Sequence, residues 1–175
     1  GVMLTHGNLT SNVIGGLEYL DLRTEDSCLS FLPLSHVFER MAGHYCMWQS
    51  GAVITYAQSV DTVSADLVEV RPTVVLSVPR LYEKIYAKVV EGAAASPLKK
   101  RIFEWCRAAG EAWAELVLAG KPVPFALGVK KAIADKLVFS KLVARTGGRL
   151  RYFVSGGAPL SAEIAKFFFA AGLPI

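Results

Sequence analysis

Two stretches place chemically useful residues where an apolar strand gives way to a helix. Ser155-Gly156-Gly157-Ala158-Pro159 follows the apolar run 150–154 and precedes a helix that Ser161 and Glu163 should open. Open α/β sheets bind ligands at that edge of the strands. Two adjacent glycines let a planar or phosphorylated ligand approach the backbone, and Pro159 stiffens the exit. By residue type alone, a Gly-Gly pair in that position is more often a plain turn. Leu32-Pro33-Leu34-Ser35-His36 likewise ends a strand and puts an imidazole before an apolar helix. A histidine there can donate to a carboxylate or gate a pocket; the alternative is a core or capping histidine held by hydrogen bonds. No Ser, Cys or carboxylate pair around it is arranged as a hydrolase requires. Ser77-Val78-Pro79-Arg80 repeats the strand, turn and helix order with a guanidinium at the helix start, where a surface arginine is the ordinary reading and an anion contact the sharper one. His6 and His44 carry no such pattern.

The elements around these residues follow from apolar spacing and chain breakers. Asn8 is placed to cap a helix through about residue 20, 28–34 reads as a strand, and 37–49 as a buried helix. Residues 51–56 read as a second strand, and 62–70 as a helix stopped by Arg71-Pro72. Residues 73–78 form a β-branched strand, and Pro79 opens a helix to about residue 91. From Ser96-Pro97 the rhythm changes. Leu98, Ile102, Trp105, Ala109, Trp113 and Leu116 recur at helical spacing as one apolar stripe. A second helix, 127–144, ends at Gly147-Gly148 and the strand 150–154 follows. The fold class expected is α/β: a mostly parallel sheet flanked by helices, with a helical excursion over about 92–148.

Composition narrows the class further. The 175 residues are 53% apolar and 19% charged, which excludes a disordered chain, collagen and a coiled coil. The net charge of +4 hides an asymmetry: residues 1–70 hold 2 basic and 8 acidic side chains, while residues 71–151 hold 16 and 6. The basic third lacks the interleaved aromatics of a nucleic-acid surface. Cys28, Cys46 and Cys106 are odd in number and far apart, with no metal-ligand spacing, which fits a reducing cytoplasmic compartment. The longest stretch free of Asp, Glu, Lys and Arg, 41–60, is too polar to span a bilayer. Both ends read as cut: Gly1 has the look of a loop exit, and Pro174-Ile175 that of a strand beginning.

Taken in order, four segments resemble the adenylate-forming superfamily and, most closely, its long-chain fatty acyl-CoA synthetases. They are Gly1-Val2-Met3-Leu4-Thr5-His6-Gly7-Asn8-Leu9, Phe31-Leu32-Pro33-Leu34-Ser35-His36-Val37-Phe38-Glu39-Arg40, Val78-Pro79-Arg80-Leu81-Tyr82-Glu83-Lys84, and Gly148-Arg149-Leu150-Arg151-Tyr152-Phe153-Val154-Ser155-Gly156-Gly157-Ala158-Pro159-Leu160. Ala134-Asp135-Lys136-Leu137-Val138-Phe139-Ser140-Lys141-Leu142 looks like the long-chain branch.

The resemblance implies a ligase that activates a fatty acid with ATP to an acyl-adenylate and passes the acyl group to coenzyme A, with Mg²⁺ at the phosphates. It implies that His36, Phe38 and Gly157 line the acyl site, and that Gly1, Gly156, Gly157, Ala158 and Pro159 line the nucleotide site. The phosphate loop, the Mg²⁺-holding glutamate and the C-terminal domain with its lysine are not in these 175 residues. The expectation is therefore an internal fragment, residues 1–175, of the large AMP-binding N-terminal domain, inactive alone. Fatty acid, ATP and CoA are the expected partners, in the cytoplasm, with peripheral membrane attachment and a homo-oligomer left open. The competing readings are a non-catalytic module whose basic excursion docks on a membrane or partner, and another acyl- or aryl-adenylate-forming enzyme.

Overall fold

Strands buried on both faces need no polar alternation, only short apolar runs; the central strand below obeys that rule, while an edge strand leaves Val53 and Tyr56 exposed. In the computed structural model, which describes residues 2–175, the four strands are β1 (Ser27–Ser30), β2 (Val53–Tyr56), β3 (Val74–Ser77) and β4 (Tyr152–Ser155). They form one parallel sheet in the order β2-β1-β3-β4. β3 is central and buried at all four positions. Successive side chains point to opposite faces, so the sheet divides the core in two. Leu29, Val75 and Phe153 join the aromatic cluster of Tyr82, Phe167 and Phe168 on one side, and Cys28, Val74 and Leu76 pack with Met47 and Phe38 on the other.

Among the described residues eight α-helices accompany the sheet: α1 (His6–Tyr19), α2 (Cys46–Ser50), α3 (Val63–Val70), α4 (Pro79–Ala94), α5 (Pro97–Leu118), α6 (Phe125–Ala134), α7 (Ser140–Arg145) and α8 (Ala162–Ala170). Four of them, α4 to α7, lie between the adjacent strands β3 and β4, so the excursion is an extended crossover within one sheet. Two π-helical turns interrupt the expected α-helices, Glu39–Tyr45 ahead of α2 and Asp135–Phe139 between α6 and α7. Such turns are rare and occur often at functional sites.

Three expectations change. Asn8 is not the cap of α1. Thr5 is, its hydroxyl accepting from the Asn8 N–H while the Asn8 carboxamide accepts from the Thr5 N–H, and the reciprocal pair starts the helix at His6. The stripe on α5 is rotated: Phe103, Cys106, Ala109, Gly110 and Ala114 face the core, whereas Leu98 and Trp105 are 69% and 42% exposed. Gly110 decides that rotation, because a β-carbon there would sit 2.8 Å from the Phe139 ring. Only Trp113 of the tryptophan pair packs inward, stacked on Phe169 at 5.8 Å. The first strand stops at Ser30, short of the expected 34, and Pro33 beyond it has no N–H for a ladder.

At the amino ends of the strands an ion pair between the buried Asp26 and the half-buried Arg151 ties three segments together. Asp26 precedes β1; its carboxylate takes the Arg151 guanidinium at 2.5 Å, the Thr73 hydroxyl at 2.6 Å and the Arg23 N–H at 2.8 Å. Burial opposes its ionisation, but the hydrogen bonds from Thr73 and Arg151 prevail and hold its pKa below the ordinary value. This clasp sets the register of β1, β3 and β4 at the edge opposite the candidate site.

Candidate functional site

The carboxyl ends of β1, β3 and β4 deliver three loops to one edge. After β1 the chain turns through Pro33, whose carbonyl accepts from the His36 N–H at 2.9 Å, and the His36 carbonyl accepts from the Arg40 N–H at 3.0 Å. Arg40 Nε donates to the Leu34 carbonyl at 2.9 Å and closes the loop on itself. After β4, the Gly156 N–H donates to the Ser77 carbonyl at 3.2 Å, joining the glycine turn to the end of β3. Gly157 follows with φ of 81°, a left-handed conformation that favours glycine.

Two of the expected residues meet directly. Phe38 packs against Gly156, so that a β-carbon on Gly156 would fall under 3.0 Å from its ring. Gly157 faces Val78, which lies 3.8 Å from its β-carbon position. His36, Gly157, Ala158 and Pro159 are exposed along the same edge. Gly1 lies outside the described residues. His36 is thus no core histidine; its Nδ1 accepts from the Phe38 N–H at 3.2 Å. That bond places the proton of the neutral ring on Nε2, leaving a donor at the edge.

Sequence reasoning missed Glu39 and the strand-end serines. Glu39 is 1% exposed, and its Oε1 accepts from the Ser30 hydroxyl at 2.5 Å while its Oε2 has no partner among the described residues. Burial pushes its carboxyl above the ordinary value, with the Ser30 hydrogen bond opposing. The π-helical turn makes room for it: the carboxyl group lies 2.7 Å from where a Gly43 β-carbon would stand. The Ser77 and Ser155 hydroxyls, paired in register at the ends of β3 and β4, are also buried without a partner among the described residues. The signal for them was available: β1, β3 and β4 all end on serine.

These groups suit binding and orientation more than nucleophilic attack. Burial pushes the Cys28 thiol up to about 12, so it is no thiolate at neutral pH. His44 bonds Tyr56, 3.1 Å from Nδ1 to the hydroxyl. Among the described residues no cluster of three or more His, Cys, Asp and Glu side chains could hold a metal ion. Among the described residues no helix is long and apolar enough to cross a membrane. Arg80 is exposed at the start of α4.

Comparison with known proteins gives this edge its context. The chain is 37% identical over 178 residues to the putative fatty-acid–CoA ligase fadD11 of Mycobacterium tuberculosis, covering all of this chain and 31% of that protein. It is 39% identical to the peroxisomal long chain acyl-CoA synthetase 6 of Arabidopsis thaliana, over 95% of this chain and 22% of that one. The chain therefore spans less than a third of either relative. In structure, the N-terminal domain of FACL13 from Mycobacterium tuberculosis superposes with a TM-score of 0.61 at 19% identity, over 99% of this chain and 31% of that one. The sequence model of the AMP-binding enzymes matches residues 1–174. That match takes in the strands, the helical excursion and every loop that reaches the edge, and on it the chain belongs to the AMP-binding enzyme family.

Proposed function

We propose that this chain is part of the large N-terminal domain of a long-chain fatty acid–CoA ligase and forms walls of its acyl and nucleotide pockets. The observation that carries the reading is the seating of Phe38 on Gly156, which joins the His36 loop and the glycine turn at one sheet edge. His36, Phe38 and Gly157 border the acyl side. Gly156, Gly157, Ala158 and Pro159 border the nucleotide side through their backbone.

In the proposed reaction a fatty carboxylate oxygen attacks the α-phosphorus of ATP, and the bond to pyrophosphate breaks. The coenzyme A thiol then attacks the acyl carbon and AMP leaves. Catalysis of this kind rests on positioning and on stabilising charge as it develops. His36 Nε2–H would donate to the carboxylate and hold one oxygen in line, while the glycine backbone admits a flat base or the mixed anhydride. The Phe38 ring presents an apolar wall that keeps water from the activated acyl group. Mg²⁺ would neutralise the phosphates when bound, but no residue described here is assigned to hold it.

Fatty-acid-dependent pyrophosphate exchange by an intact protein containing this chain tests the reading. Activity should rise with acyl length through the long-chain range; preference for acetate or an aromatic acid would move the protein to another branch. The isolated chain should show no exchange above a blank preparation.

A further inference from the structure

A groove of about 410 Å³ lies within the helical excursion, between α4, α5, the π-helical turn Asp135–Phe139 and α7. Its floor is apolar: Val89 and Ala93 come from α4, Ile102 and Phe103 from α5, and Leu137 and Leu142 from the segment after α6. Its rim holds Lys88, Lys99, Lys141 and Arg145, and no Asp or Glu lines it. Among the described residues none of these four cations makes an ion pair. The groove is separate from the candidate site. α4 leaves the carboxyl edge at Pro79, and Val89 and Ala93 lie ten and fourteen residues along it, about 15 to 21 Å away at 1.5 Å per residue.

We propose that this groove binds a single-chain phosphoryl amphiphile, with one alkyl chain on the apolar floor and a phosphate head among the four cations. Charge complementarity selects the head group. Like charges left without counter-ions repel one another, and an anion placed among them removes that repulsion. A phosphate carries up to two charges and several acceptor oxygens, so it engages more of the rim than a carboxylate with one charge. The floor selects the tail, because exposed apolar side chains such as Leu137, 42% exposed, and Ile102, 36% exposed, gain by leaving water. The concave shape accommodates one chain rather than a bilayer face. The inference does not depend on the proposed ligase activity, since it uses no residue of the strand edge.

Calorimetric titration of the chain with dodecyl phosphate below its micellar concentration tests the proposal. One molecule should bind per chain, at least tenfold more tightly than dodecyl maltoside, laurate or inorganic phosphate, and more weakly as salt is raised. Lys88→Glu with Lys141→Glu should weaken binding at least tenfold at unchanged melting temperature, since both side chains are exposed. Leu137→Asp should weaken it to a similar extent through the tail. Lysophosphatidate and lauroyl-CoA, titrated separately, distinguish two carriers of the same chemistry, and binding of neither would overturn the proposal. Equal affinity for laurate or the maltoside would also overturn it, as would binding indifferent to the three substitutions. Capture by phosphatidylglycerol vesicles without monomer binding would identify a membrane face instead and would equally overturn it.

Discussion

The Phe38 ring packs against Gly156, in space that a β-carbon there would occupy. The contact locks the segment after β1 to the turn after β4 across the intervening β3. Gly156→Ala should therefore cost about 1–3 kcal/mol through overpacking, measured by urea denaturation, and should lower exchange activity of the intact protein. Trimming the ring should relieve the clash. Phe38→Leu combined with Gly156→Ala should be more stable than the sum of the single effects, a coupling that a double-mutant cycle reads. Additive effects would mean that the two loops do not touch.

His36 is exposed, and its side chain makes one local hydrogen bond. Removing it should change stability by no more than about 0.5 kcal/mol, as for other surface positions. If the ring orients a carboxylate, His36→Ala should lower fatty-acid-dependent exchange by about 10- to 100-fold, equivalent to roughly 1.4–2.7 kcal/mol of transition-state stabilisation. Parallel losses of melting temperature and activity would mark the residue as structural.

Glu39 makes stability depend on pH in a defined direction. Its carboxyl is raised from 4.5 by burial, so the folded chain keeps that proton to higher pH than the unfolded chain does. Stability from this group is full below about 4.5 and is lost as pH rises through the raised value. Its neighbours Ser30 and Gly43 do not titrate, and Cys28 stays a thiol throughout. His44, lowered by burial and by Arg40, contributes the opposite slope on the acid side of 6.5. Because that slope is common to both proteins, a difference curve isolates Glu39. Glu39→Gln keeps an acceptor for Ser30, and its melting temperature relative to the parent should climb between pH 4.5 and 8. A flat difference would show that Glu39 titrates normally.

Loss of Arg151 from the Asp26–Arg151 pair should leave the buried Asp26 carboxylate without its counter-charge, held only by Thr73 and the Arg23 N–H. Asp26 is 2% exposed, so Arg151→Ala should destabilise by about 3 kcal/mol. The lowered Asp26 pKa adds stability above its ordinary value of 3.8 that disappears as pH falls through the folded value. Thermal melts from pH 2.5 to 6 should show this acid loss in the parent and a shallower one in Arg151→Ala.

The residues show where legibility ended. Pro79 after the apolar run at β3 and Gly156-Gly157 after β4 mark strand-to-helix junctions from local chemistry alone, and both junctions stand where expected. Asn8 and Thr5 are both good caps, and the choice between them is made by a reciprocal hydrogen bond that residue type does not rank. On α5 the spacing of tryptophans and leucines suggested one face, yet Gly110 and Ala114 go inward because Phe139 and Ala170 need their room. Large side chains signal amphipathicity only when the facing surface can take their volume. Glu39 was invisible as a buried acid because its room comes from Gly43 four residues on, across a π-helical turn with no local signature.

The amino-acid sequence by itself determined the α/β class, the parallel strands, the long crossover and the loops that carry His36 and Gly156-Gly157, because each follows from local periodicity and chain breakers. Tertiary structure alone decided that Phe38 covers Gly156, that Glu39 is buried against Ser30, and that four cations ring one apolar groove. Those contacts join residues up to 118 positions apart, from Phe38 to Gly156. Packing selects them by volume and desolvation, quantities that belong to the assembled neighbours rather than to any one segment.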